Sequence, residues 1–138
     1  MSSTRSVLFV CLHGAAKSVL AAADFRRLAA RRGLDITAEA AGTEPDPAVA
    51  PSVVATLGAE GLDVSGTPPR RVTAADTAGA DRVVTFGCDL GDARPAAVPV
   101  EHWLDVPAVS DDLPLARAAI RRHLERLLDD YAAGKAPR

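Results

Sequence analysis

Val7-Leu8-Phe9-Val10-Cys11-Leu12 is an unbroken apolar run, stopped by His13, Gly14 and Lys17. A strand that alternates apolar and polar side chains buries one face, whereas one that is apolar at every position needs cover on both, as in a parallel sheet flanked by helices. A strand from Ser6 to Cys11 therefore points to a layered α/β architecture, and the remaining segments agree. Val19, Leu20, Ala23, Leu28 and Ala30 recur at helical spacing between Ser18 and Arg32, with Arg in the last turns and Gly33 as the stop. Ile36 to Ala41 reads as a second strand, closed by Gly42-Thr43 and the turn Glu44-Pro45-Asp46-Pro47; Pro51 to Glu60 reads as a second helix with Pro51 in its first turn. Val64 to Val72 is loop, Thr73 caps a brief helix to Ala78, and Arg82 to Phe86 is a third strand. Gly87 to Pro95 is loop, Val98 to Trp103 a fourth strand, Asp105 to Pro114 loop, and a final amphipathic helix runs from Leu115 to about Ala133. Strands alternating with helices predict a four-stranded parallel sheet in a single-domain three-layer sandwich over residues 1–138, with residues 132–138 a frayed tail.

The one place where the sequence makes a reaction visible is the end of the first strand. Cys11 is followed by Leu12, His13, Gly14, Ala15 and Ala16, then Lys17 and Ser18. A buried strand that turns through a Gly-containing loop into a helix leaves several backbone N–H groups unpaired and convergent, a cradle for a tetrahedral anion. The helix N-terminus and a neighbouring Lys both favour thiolate, the form of cysteine that attacks electrophiles. The expected roles are Cys11 as nucleophile, the N–H groups of Leu12 to Lys17 and the Lys17 ammonium as oxyanion contacts, and Ser18 as both helix cap and support for the thiolate. His13 reads as a further donor to the anion, as a group that tunes the thiolate, or as an exposed loop residue. Ligands of parallel sheets sit at the carboxyl ends of the strands, so the loops after strands one, three and four should assemble the site.

Composition narrows the partners. A net charge of -2 with 48% hydrophobic residues argues against a nucleic-acid partner. The apolar run is too short for a membrane span or a secretory core, which predicts a cytoplasmic protein. Two cysteines in that setting read as catalytic, redox-active or simply buried rather than as a structural disulfide, and no metal-ligand pattern is present. The chain holds 14 Arg and only two Lys, one of them at position 17.

With the strand, the Cys-x5-Lys-Ser loop and the α/β pattern in place, the chain resembles the low-molecular-weight protein tyrosine phosphatase superfamily, and within it the thiol-coupled arsenate reductases. Ala41-Gly42-Thr43 is similar to the segment after that family's second strand, Asp81-Arg82-Val83-Val84-Thr85 to its third strand, and Glu101-His102-Trp103 to the arsenate-reductase form of its fourth. The family loop is Cys-x2-Asn-x2-Arg-Ser; here Gly14 takes the Asn position and Lys17 the Arg position. Gly enters the left-handed conformation of that Asn at no steric cost. Lys replaces a planar, two-pronged anion clamp by a point charge on a flexible stem, which predicts retained anion binding and slower chemistry.

The resemblance implies a general acid, an Asp directly before a Pro in the loop after strand four. Here that loop reads Leu104-Asp105-Val106-Pro107, so Asp105 is one residue early and is the expected acid. Asp111 and Asp112 read better as solvated or helix-capping acids. Thioredoxin-coupled arsenate reductases relay oxidation to two further cysteines after strand three; this chain has Cys88 alone, with Arg94 where the second would stand. Cys88 then either resolves Cys11 or is a small buried thiol, and the reductant is a small thiol such as mycothiol or glutathione, or thioredoxin, with no bound cofactor. His102 and Trp103 read as core or contact residues. The expected activity is a thiol-dependent reaction on tetrahedral oxyanions of the arsenate-reductase kind. The alternatives are a tyrosine phosphatase and a non-catalytic binder of phosphate or phosphorylated protein.

Overall fold

The computed structural model describes residues 5–134. Ala132 closes the last helix, and the expected tail beyond residue 134 lies outside the described residues. Four parallel strands, β1 (Arg5–Cys11), β2 (Ile36–Gly42), β3 (Arg82–Thr85) and β4 (Val100–His102), form one sheet in the order β2-β1-β3-β4. The helices are α1 (Lys17–Arg31), α2 (Pro51–Ala59), α3 (Ala74–Ala78) and α4 (Leu113–Ala132). None of the described helices is long and apolar enough to cross a membrane.

The interior position of β1 explains its uniform apolarity. Side chains alternate across a strand, so Val7 and Phe9 meet α1, α2 and α4 through Leu20, Phe25, Val53, Leu57, Ile120 and Leu124. Leu8 and Val10 face the other way, onto Val72, Ala80, Leu90 and Ala93. Burying each of these side chains is worth roughly 1.5–3 kcal/mol, while ordering the backbone costs roughly 1–2 kcal/mol per residue. A strand covered on one face would about break even; β1 gains at each position from Val7 to Cys11. The second face has thinner cover, from α3, a 3₁₀ turn at Gly91–Ala93 and the loops beside them. The Thr77 hydroxyl ties that layer together by donating to the Ala93 carbonyl at 2.6 Å.

Several boundaries differ from those read in the sequence. The final helix starts at Leu113, two residues early, because Asp112 Oδ1 accepts from the Leu115 N–H at 3.0 Å and Pro114 occupies the first turn. The third strand stops at Thr85 and the fourth spans only Val100–His102. Trp103, just past β4, is buried as expected, tilted onto Phe9, edge-on to Phe86 and stacked on His123 at 4.5 Å.

An ionic cluster that no sequence pattern announced joins α1, α2 and α4. Asp24, only 2% exposed, accepts two bonds from Arg117 at 2.8 and 2.9 Å, one from Arg27 at 2.9 Å and one from Arg121 at 3.2 Å. Arg117 and Arg27 also bind Glu60, at 2.5 to 2.8 Å. Burial alone would raise the Asp24 carboxyl, but the guanidinium groups of Arg117 and Arg121 overcome it and hold the group below its ordinary range. The bonds from Arg117 and Arg27 pull Glu60 down to about 2. The visible effect of the cluster is to fix the helical layer.

Candidate active site

The β1–α1 loop is held from behind by main-chain bonds. The carbonyls of Cys11, Leu12, His13 and Ala15 accept from the N–H groups of Thr43, Glu44, Asp46 and Ala50, at 3.3, 2.7, 3.0 and 2.9 Å. Gly14 takes the left-handed conformation (φ 61°) and lies back to back with Gly42, where a Cβ on either residue would come within 2.6–2.8 Å of the other's N atom. With its carbonyls drawn outward, the loop turns its N–H groups the other way. Those of Leu12, His13, Gly14, Ala15, Ala16 and Lys17 have no protein acceptor among the described residues. Gly14 and Ala15 are buried, so unpaired donors there carry a desolvation cost that a bound anion relieves.

Cys11, 7% exposed, lies at this loop's base, and its Sγ is 3.1 Å from the Oγ of fully buried Ser18. The thiol contact expected of Ser18 is therefore present, but the cap is not: α1 begins at Lys17 with Ala16 in the capping position and no side-chain cap bond. A cavity of about 300 Å³ opens over Cys11. The loop lines it with Leu12, His13, Ala15, Ala16 and Lys17; the segment after β2 and α2 add Asp46, Ala50 and Ser52; Phe86, Ala108, Val109 and Ser110 close it. Lys17 has no carboxylate within 4.0 Å among the described residues, which leaves its charge for a ligand. A larger, shallower groove of about 890 Å³ between α2 and α4 shares Ser52 but holds no nucleophilic thiol.

The sequence of residues 6–98 matches the family described as "Low molecular weight phosphotyrosine protein phosphatase". The chain belongs to this family. A protein of Halobacterium salinarum named "Putative arsenate reductase" is 35% identical over 108 residues, 76% of each chain. The fold matches YfkJ from Bacillus subtilis with a TM-score of 0.83 at 26% identity, covering 97% of this chain and 98% of that one. It matches the arsenate reductase of Archaeoglobus fulgidus with a TM-score of 0.71 at 31% identity, covering 89% and 98%. As a member of this phosphatase family the chain keeps the anion loop and changes what surrounds it.

Asp105, the acid expected from the sequence, is not among the residues lining the cavity. Its Oδ1 pairs with His123 Nε2 at 2.7 Å, and that bond holds the carboxyl below its ordinary range, the wrong direction for a proton donor. Val106, in the family's acid position, is buried at 5% exposure, and Asp112 caps α4. From this loop only Ala108, Val109 and Ser110 reach the cavity, and none titrates. Asp46 was missed because the segment after β2 was not counted among the site loops. β2 lies beside β1 in the sheet, so its carboxyl end is as near to Cys11 as that of β3. The signal was the Pro-Asp-Pro turn following Gly42-Thr43.

Cys88 is half-buried beside the β1 end, and its Sγ donates to the Val10 carbonyl at 3.6 Å. Burial, and next the proximity of Cys11, push its thiol up. It lines a different depression, of about 400 Å³, with Arg94 and His102. The loop after β3 thus reaches the Cys11 cavity only through Phe86 at its very start, and not through the expected Gly87–Pro95 segment.

Proposed function

We propose that the protein is a thiol enzyme that reduces arsenate, using Cys11 as nucleophile and an external thiol as reductant. The observation that carries the reading is the Cys11 thiol, 3.1 Å from the Ser18 hydroxyl, at the base of a loop whose backbone N–H groups have no protein acceptor among the described residues. Cys11 Sγ attacks the As(V) centre, an S–As bond forms, and one oxygen leaves as water after taking a proton. Loop N–H groups and the Lys17 ammonium hold the remaining oxygens. A thiol of the glutathione or mycothiol class then attacks Cys11 Sγ; an S–S bond forms and the S–As bond breaks. Its electron pair stays on arsenic, which departs as arsenite. A second thiol restores Cys11 and leaves the disulfide of the reductant.

One feature favours this reaction over phosphotyrosine hydrolysis, and a second assigns the reductant. No carboxylate enters the cavity from the loop after β4, and expelling oxygen from arsenate demands less of an acid than expelling a phenolate. Cys88, protonated and bonded to Val10, is a poor resolving nucleophile, so the external thiol is assigned the second step. Dependence on reduced thiol fits a cytoplasmic setting. The full chain is to be incubated with arsenate and glutathione, mycothiol or reduced thioredoxin in turn, and arsenite measured. Arsenite formation that Cys11→Ser abolishes is the expected result. Phosphate binding with neither arsenite formation nor release of phenol from aryl phosphates would overturn the reading in favour of a pure binding protein.

A further inference from the structure

With the β4 loop supplying no acid, the ionisable side chains that line the cavity are Cys11, Lys17, His13 and Asp46. Cys11 must attack, and Lys17 must keep its charge to hold oxygen. The serine hydroxyls of Ser52 and Ser110 are too weakly acidic to donate at neutral pH. His13 and Asp46 remain, and they are in contact: His13 Nδ1 lies 3.2 Å from the Glu44 carbonyl and 3.4 Å from Asp46 Oδ1. Both neighbours of Nδ1 are acceptors, so Nδ1 carries hydrogen whether the ring is charged or neutral. The proton that the ring can gain and lose is therefore on Nε2, which has no hydrogen-bond partner among the described residues. A ring anchored through one nitrogen by a carbonyl and a carboxylate, with the other nitrogen free, is the usual arrangement of a histidine that moves protons.

We propose that His13, positioned by Asp46 and the Glu44 carbonyl, is the proton donor to the leaving oxygen at this site, in place of the aspartate that the loop after β4 no longer supplies. The inference rests on the proposed attack by Cys11. As the S–As or S–P bond forms, the bond to the leaving oxygen breaks with both electrons going to oxygen, and His13 Nε2–H passes its proton there. The ring is left neutral, with its remaining proton on Nδ1. Cys11 is at the buried base of the cavity, whereas His13 has a side chain 55% exposed, which places it at the mouth where a leaving group departs.

General acid catalysis is separated from binding and folding by its dependence on the leaving group. Phenol release is to be followed in a single turnover, with protein in excess, from 2,4-dinitrophenyl phosphate, which needs no acid, and from phenyl phosphate, which does. In His13→Gln the ratio of the two rates should rise about 100-fold over that of the unaltered protein. Asp46→Asn should raise it by a smaller factor, through the loosened ring. A ratio within about twofold of the unaltered protein in His13→Gln, whatever the absolute rates, overturns the proposal and leaves attack by Cys11 standing. If the unaltered protein neither releases dinitrophenol nor forms arsenite from arsenate, attack by Cys11 fails and the proposal falls with it, whereas arsenite formation without dinitrophenol release leaves that attack standing and overturns the proposal alone. Folding is controlled by the ratio itself, since a misfolded fraction lowers both rates alike.

Discussion

Gly42→Ala tests the claim that the anion loop is held in place by backbone contact. Gly42 ends β2 opposite Cys11, its N–H donates to the Arg70 carbonyl at 2.9 Å, and its own carbonyl accepts from Val72 at 2.9 Å. Pinned on both sides, it has little freedom to retreat. A methyl group there would stand 2.6 Å from Gly14 N, 2.8 Å from the His13 carbonyl carbon and 2.9 Å from Gly14 Cα. Ordinary contact begins near 3.4 Å, so the loop must move outward by about 0.8 Å. The φ of Gly42 is not positive, so the effect is purely one of crowding. Inserting a methyl group into such a contact costs roughly 1–3 kcal/mol. The loss in rate should be larger in proportion, because misplacing a reacting group by about 1 Å can lower a rate on the order of 100-fold. Urea unfolding and single-turnover dinitrophenol release measure the two effects on one preparation. Gly58→Ala in α2, where a Cβ meets nothing within 4 Å, is the control and should stabilise the protein by roughly 0.5–1 kcal/mol. A Gly42→Ala protein with unaltered midpoint and rate would refute the argument that these two glycines set the loop.

Lys17→Ala should weaken phosphate binding at least tenfold in a calorimetric titration, because it removes the one Lys or Arg side chain lining the cavity. Lys17→Arg should raise the rate of arsenite formation, since the two-pronged guanidinium follows the oxygens as charge moves. Asp24→Asn removes the buried carboxylate of the cluster and leaves Arg117 with Glu60 alone, which should cost on the order of 3 kcal/mol in urea unfolding, with little change in phosphate affinity. Glu60 has a folded value of about 2 against an ordinary 4.5, and Asp24 is also lowered, so the unfolded chain binds more protons across that window. Their contribution to stability is complete above pH 4.5 and drains away as the pH falls toward 2, which acid titration followed by circular dichroism will register. Cys88→Ser should support arsenite formation with small thiols at close to the unaltered rate; a loss beyond tenfold would assign the resolving step to Cys88.

What the sequence revealed and what it hid divide along a physical line. The sheet was legible because β1 from Val7 to Cys11 has no polar position to offer solvent, and the anion loop because Gly14 and Ser18 follow the Cys11 end of that strand at a spacing that suits a strand-to-helix turn. Both are properties of local chain chemistry. Asp105 misled because a one-residue offset in a loop decides which side chain turns inward, and here Val106 and Val109 take the buried places while Asp105 turns out to His123. The Asp24–Arg117–Glu60 cluster was hidden for a related reason, its members being 93 and 57 residues apart in the chain. The Pro-Asp-Pro turn was visible, but its bearing on Cys11 depends on β2 lying next to β1, which is a matter of topology.

The same division accounts for how the site tolerates its own departures from the family. The cradle is made by main-chain groups: four carbonyls fastened to the segment after β2, and the loop N–H groups that are thereby turned toward the cavity. Such a cradle survives exchange of the family's Asn for Gly14, because Gly accepts φ near 61° without strain and brings no Cβ into the close approach to Gly42. It survives Lys for Arg, because Lys17 adds charge to donors already in place. The acid has no such protection, since it is one side chain on one loop and is lost when that loop shifts register. The proton must then come from another residue at the cavity, and His13 is the side chain that the loop places there without a duty to the thiol or to the bound oxygens. Retention of the backbone site and relocation of the proton donor are thus two results of one fact: the anion is bound by the fold, and the proton is supplied by a side chain.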